Sequence, residues 1–147
     1  MAPRFQHVLI VEDEPGDVRL MELALQKCGL PIQMNHVGDG MEALQFLRRQ
    51  GPRFRTTVRP DLILLDLKMP GQRGLDFLRA VKQDEGLRAI PVVVVSTSTL
   101  EADVLAVYGS GGAGYLQKPT DLDEFMAAIE VLGRYWFKLV RLPVNPE

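Results

Sequence analysis

The chain has 147 residues, 46% of them apolar and 24% charged, with a net charge of −2 at neutral pH. That length suits one domain with an ordinary core, and the near-balanced charge excludes a global field that would recruit nucleic acid or an anionic membrane. A single cysteine, Cys28, permits no internal disulfide, no signal-peptide pattern opens the chain, and no apolar run approaches the roughly 20 residues of a bilayer span. The expectation is a cytoplasmic, single-domain protein.

Short runs rich in valine, isoleucine and leucine alternate with longer amphipathic stretches, which predicts βα units around a parallel sheet buried on both faces. A first strand is expected over 7–11 and a helix from about 15 to 28, with Pro15 in its first turn and Gly29-Leu30-Pro31 as its stop. Glu14 and Asp17 suit the positive end of that helix, and Cys28, just before its stop, reads as packing. Ile32 to Val37 is a short second strand, and Gly40 to Leu47 opens the second helix. The irregular segment from Gln50 to Pro60 carries Arg53, Arg55 and Arg59 close behind Arg48 and Arg49, and reads as a solvated loop rather than an anion site.

Strand 3, about 61–66, leads through Met69-Pro70-Gly71 into a helix near 74–83. Strand 4, about 92–96, precedes a helix near 99–108, and strand 5, about 113–117, precedes a last helix near 121–140. Ser98-Thr99-Leu100-Glu101 and Thr120-Asp121-Leu122-Asp123 each place a hydroxyl three residues before an acid, the capping-box arrangement. The glycine-rich stretch 109–114 lacks the lysine and hydroxyl of a phosphate loop and follows a helix, so it is a stop and turn. His7 and His36 have no cysteine or histidine partners at ligand spacing and read as strand residues.

Four of the apolar runs end on polar residues: Val11 on Glu12-Asp13, Leu65 on Asp66, Val95 on Ser96, and Gln117 on Lys118. Ligands of open parallel α/β sheets bind beyond the carboxyl ends of the strands, so three carboxylates, a hydroxyl and an ammonium should converge there. Clustered acids raise one another's pKa unless a cation neutralises them, and an all-oxygen set of this charge favours Mg²⁺. Asp13, Asp66 and the backbone carbonyl of Lys68 are the expected ligands. Asp66, at the end of a strongly apolar strand, is placed to attack a phosphoryl donor and form an acyl phosphate. Lys118 would neutralise charge on the phosphoryl group and Ser96 would donate a hydrogen bond to it.

Val11-Glu12-Asp13, Leu64-Leu65-Asp66-Leu67-Lys68-Met69-Pro70, Ser96 and Lys118-Pro119 resemble the receiver domains of bacterial two-component response regulators. The likeness runs from about residue 6 to 133, and the spacings Ser96 to Tyr115 and Tyr115 to Lys118, 19 and three residues, are those of chemotaxis-type receivers. The resemblance implies a flavodoxin-like (CheY-like) sheet in order 2-1-3-4-5, with two helices on one face and three on the other. It implies Mg²⁺-dependent phosphorylation of Asp66 by a sensor histidine kinase, with Glu12 reaching the metal through water. It also implies a joint shift of Ser96 and Tyr115 on activation, and a cis peptide between Lys118 and Pro119.

The chain ends about where the last receiver helix ends, so a single receiver domain over 1–147 is expected, with a core at about 6–133 and an extended helix and tail at about 134–147. Output would then come by protein contact, with no DNA-binding or enzymatic domain. The loop before strand 3 and the tail Tyr135 to Pro143 resemble stand-alone regulators paired with bacterial phytochrome kinases, which makes a bacteriophytochrome a candidate partner. A hydrolase using Asp66 as nucleophile is the competing class, but Lys68 stands where such enzymes place a second aspartate. A receiver-like binding module without phosphorylation would be expected to lack an acid or the lysine, and none is missing. On the last helix, Leu122, Phe125, Ile129, Leu132 and Trp136 form the stripe expected to face the sheet. Ala128, Val131, Tyr135 and Leu139 form a second stripe, expected to pair two copies as a dimer.

Overall fold

Each predicted apolar run becomes one strand of a single parallel sheet in the computed structural model, which describes residues 5–69 and 74–143. The strands are β1 (Gln6–Val11), β2 (Ile32–Val37), β3 (Leu62–Leu65), β4 (Val92–Ser96) and β5 (Gly114–Gln117), in the order β2-β1-β3-β4-β5. Every neighbouring pair is parallel, as expected. Five helices connect or follow them: α1 (Pro15–Gln26), α2 (Gly40–Arg48), α3 (Gly74–Gln83), α4 (Glu101–Gly109) and α5 (Leu122–Arg134). No helix among the described residues is long and apolar enough to cross a membrane. The turn expected at Pro70–Arg73 and the tail beyond Pro143 lie outside the described residues.

Strand alternation divides the core in two. Val8, Ile10, Leu62, Leu64, Val93 and Val95 meet α1 and α5 on one face. Leu9, Val11, Ile63, Leu65, Val92 and Val94 meet α2, α3 and α4 on the other. The continuous apolar runs in β1, β3 and β4 are therefore explained by burial on both sides, each such side chain contributing about 1.5–3 kcal/mol. The arginine-rich segment before β3 is surface apart from Phe54 and Pro60. Phe54 is buried edge-on against Phe46 at 5.7 Å, with the Arg53 guanidinium 4.8 Å from its ring centre. Arg48 pairs with Asp84 and Arg53 with Glu42, in keeping with a solvated loop.

Three local expectations are corrected. The caps of the late helices shift: Asp121, not Thr120, accepts from the Asp123 and Glu124 amides, because its carboxylate immediately precedes the first helical residue. Helix α4 starts at Glu101 without a side-chain bond from its capping Leu100, and Ser98 bonds Asp103 rather than Glu101. The last helix stays regular only to Arg134 and continues as one wider π turn over Tyr135–Leu139, closed by Val140 N to the Tyr135 carbonyl at 3.0 Å. The wider turn lets the adjacent rings of Trp136 and Phe137 both pack against the α1–α5 face. Finally, Leu122 is 61% exposed, because the buried stripe of α5 begins one turn later at Phe125 and runs through Ile129 to Gly133. Cys28 packs there, its thiol directed at the Glu130 carbonyl at 3.3 Å and its pKa pushed up by burial.

One glycine ties this frame to the polar edge of the sheet. At Gly74, where α3 begins, a Cβ would collide with the Asp66 carbonyl oxygen and lie 2.7 Å from Leu67 Cα. Both obstacles are backbone and cannot rotate away. Gly74→Ala should therefore lower the urea midpoint with an unchanged slope, a loss of about 1–3 kcal/mol; an unchanged midpoint would show that the loop after β3 yields freely.

Candidate functional site

Backbone pairing continues one residue past three strands and thereby sets the heights of the polar side chains. Glu12 N donates to the Val37 carbonyl at 3.1 Å, Asp66 N to the Val11 carbonyl at 3.0 Å, and Lys118 N to the Ser96 carbonyl at 2.7 Å. Glu12, Asp66, Ser96 and Lys118 are all buried, with Glu12 and Ser96 fully so, while Asp13 is exposed at the rim. Carboxylate oxygens of Glu12, Asp13 and Asp66 lie within 4.8 Å of one another. The three acids and the Lys118 ammonium meet at one end of the sheet, and Ser96 ends β4 beside them with its carbonyl held by the Lys118 amide.

Lys118 is the hub. Its ammonium bonds Glu12 Oε1, bonds Asp17 Oδ2 at 2.8 Å, and stands 3.8 Å from Asp66 Oδ2. Burial alone would lower its pKa, but the hydrogen bonds of Asp17 and Glu12 and the charges of Glu12 and Asp66 outweigh this and hold it above the ordinary value. Glu12 goes the other way. Desolvation first, then its hydrogen bond and repulsion with Asp66, outweigh the attraction of Lys118 and push it up to about 8.

That shift is the test of whether a cation fits. One ammonium is shared by Glu12, Asp17 and Asp66, with Asp13 close by at the rim, and the deepest of these acids has its pKa raised by burial and by Asp66. Three oxygen donors within reach of one another, facing excess negative charge, suit a hard divalent ion. The Lys68 carbonyl lies in the same loop, where the Lys68 amide donates to Asp66 Oδ1 at 3.2 Å and so orients that carboxylate.

Ser96 and Tyr115 are joined through one intermediary. The Ser98 amide donates to Ser96 Oγ at 3.2 Å, and the Tyr115 hydroxyl donates to the Ser98 carbonyl at 2.9 Å. Tyr115 is half-buried and packs against the α2–α3–α4 face. Ser98 matters here through its backbone, a role not visible from its expected capping. The Lys118–Pro119 peptide is trans, since the described residues contain no cis bond; trans remains the lower-energy form even before proline.

Asp17 lies in the first turn of α1 as expected, with a further role that the sequence reading lacks. Glu14 does cap α1, accepting from the Gly16 amide at 3.3 Å, but Asp17 turns inward to Lys118. A first-turn acid following two strand-end acids was the available signal, since that turn faces the same crevice. His36 Nε2 lies 2.7 Å from the Glu12 carbonyl oxygen, and neither histidine joins a metal-ligating cluster among the described residues.

The linkage sign follows from the Glu12 shift. Its folded pKa, about 8, exceeds its ordinary 4.5. The contribution is present below pH 4.5 and lost as pH rises through about 8. In metal-free buffer, stability should fall across that window by up to about 1.4 kcal/mol per pH unit, the limit for one proton. Urea titrations of Glu12→Gln should show a flatter dependence; an equal slope in both proteins would remove the protonated Glu12.

Residues 8–130 match the family model described as response regulator receiver domain. The response regulator Rcp1 of Synechocystis sp. (strain ATCC 27184 / PCC 6803 / Kazusa) is 36% identical over 136 residues, 92% of each chain. Among solved structures, the phosphorylated cyanobacterial phytochrome response regulator RcpA superposes with a TM-score of 0.92 at 35% identity, covering 96% of this chain and 100% of that one. The Mn²⁺-bound form of Rcp1 gives 0.90 at 35% identity, over 95% and 99% of the two chains.

Proposed function

This chain belongs to the response regulator receiver domain family, and on that premise we propose that it accepts a phosphoryl group on Asp66 from a sensor histidine kinase. The observation that carries the proposal is the crevice itself, where Glu12, Asp13 and Asp66 face the buried ammonium of Lys118. An Asp66 oxygen attacks phosphorus, the bond from phosphorus to the kinase's histidine nitrogen breaks, and the imidazole leaves with its electron pair and takes a proton. The product is an acyl phosphate. Lys118 neutralises charge on the transferred group, and Ser96 turns its hydroxyl from the Ser98 amide toward the new oxygens. In this role the chain is a signalling protein rather than an enzyme with a separate substrate, though it promotes its own aspartyl phosphorylation and dephosphorylation.

Mg²⁺ is the proposed cofactor, held by Asp13, Asp66, the Lys68 carbonyl and, through water, Glu12; bound there it supplies charge neutralisation for phosphoryl oxygens. The Mn²⁺-bound form of the relative Rcp1 supports a divalent ion of this kind. Tyr115 reports the change, because movement at Ser96 alters the Ser98 carbonyl that its hydroxyl holds. The phytochrome association of RcpA supports a bacteriophytochrome as the kinase. The receiver domain would signal by protein contact. Intact mass after a small phosphodonor with Mg²⁺ tests the core of this: the native chain should gain one phosphoryl group and Asp66→Asn none. Asp13→Asn should weaken Mg²⁺ binding about tenfold or more. Label persisting on Asp66→Asn would move the acceptor elsewhere.

The same chain is proposed to self-associate through the end of its last helix. Val131, Tyr135 and Leu139 remain 65%, 48% and 74% exposed, a continuous apolar strip beside the buried stripe. Sedimentation should give a dimer at micromolar concentration for the native chain and a monomer for Leu139→Asp, which alters only an exposed position. A native monomer, phosphorylated or not, would end the proposal.

A further inference from the structure

We propose that Asp17 is a positioning residue: it restrains the Lys118 ammonium on the α1 side of the crevice and competes for it with a phosphoryl group on Asp66. The inference rests on the phosphoacceptor role of Asp66 and adds a member that this role does not require.

An ammonium has three donors. Two are committed, to Glu12 Oε1 and to Asp17 Oδ2 at 2.8 Å, and both acceptors sit at the junction of β1 and α1. Asp66 Oδ2, across the crevice on the β3 end, is 3.8 Å away, beyond hydrogen-bond reach. The two bonds therefore pull the same way and leave the ammonium about 1 Å too far for a charge-assisted bond to Asp66 Oδ2 itself. The two holders differ in what they can release. Glu12 is fully buried, so losing Lys118 would strand it without water. Asp17 is 28% exposed at its side chain and can exchange the ammonium for solvent. A phosphoryl group, with close to two negative charges and three acceptor oxygens, outcompetes one hydrated carboxylate for the lysine. Asp17 thus sets how much of the lysine's interaction is withheld until phosphorylation.

The simpler role for Asp17 is complementing the helix N-terminus, which calls for a negative charge in the first turn but not for a partner at 2.8 Å. Glu14 already caps that terminus through the Gly16 amide.

A double-mutant cycle separates these roles. Trifluoroberyllate, a phosphoryl mimic, is titrated with Mg²⁺ into the native chain, Asp17→Asn, Lys118→Ala and the double variant, and labelling by a small phosphodonor is followed by intact mass. Asp17→Asn should bind the mimic about fivefold tighter and label faster, and Asp17→Ser should move the same way. In the Lys118→Ala background, Asp17→Asn should change affinity by less than about twofold. An equal gain in both backgrounds would reduce Asp17 to its charge, and no gain or a loss in the native background would overturn the inference outright. If the native chain neither binds the mimic nor takes label with Mg²⁺, the phosphoacceptor role itself falls; if it does both and Asp17→Asn matches it, only the positioning role falls.

Discussion

A surplus of negative charge, held by the ends of buried strands around one ammonium, is the constraint from which the polar edge of this protein takes its form. Glu12, Asp66 and Lys118 cannot move apart to relieve it, because the residue before each is locked in the ladder and each amide is itself bonded to a neighbouring strand. The acids must share a proton, bind a cation or lean on Lys118. Glu12 is raised to about 8, and Lys118 is shared among three carboxylates. Removing only one partner from such a buried set leaves the others uncompensated, which costs more than the set contributes as a whole. The site is poised by its own repulsion, so a small change of charge there has large structural leverage.

How much of this could be read in advance divides along physical lines. The strands were legible because burial on both faces demands unbroken apolar runs, and each run ends at the residue where the sheet meets the crevice. That rule points to Glu12, Asp66 and Ser96 at the ends of β1, β3 and β4, while Lys118 follows the half-buried edge strand β5. Side chains on the first turn of a helix obey no such rule. Asp17 satisfies the dipole whichever way it points, and its partner, Lys118, lies 101 residues away. The cap of α5 went to Asp121 because two adjacent residues could both serve and spacing alone does not rank them. The π turn at Tyr135–Leu139 escaped notice because helical periodicity describes a regular spiral, whereas two neighbouring rings seeking one face widen it.

The chain beyond β5 shows how tertiary packing overrides local pattern. Two apolar stripes were read on one helix, and only one found a surface: Phe125 and Ile129 are buried, while Val131 and Leu139 remain in solvent. Gly133 lets α5 close on α1, since a Cβ there would approach Cys28 Sγ to 2.8 Å and Leu25 Cδ2 to 2.9 Å. Cys28 is partly buried in that pairing, which pushes its thiol pKa up and disfavours the reactive thiolate.

The division of the core into two clusters gives the molecule an internal insulation. Tyr115 belongs to the layer of α2, α3 and α4, whereas Trp136 and Phe137 belong to the layer of α1 and α5. A sheet lies between them, and its strands present different side chains to each. The proposed movement of the Tyr115 ring would therefore act on one layer, with the sheet between it and the other. The same partition frees the two layers to vary independently: a substitution packed against α2, α3 and α4 need not be matched by a change beneath the tail, because the two clusters share no side chain.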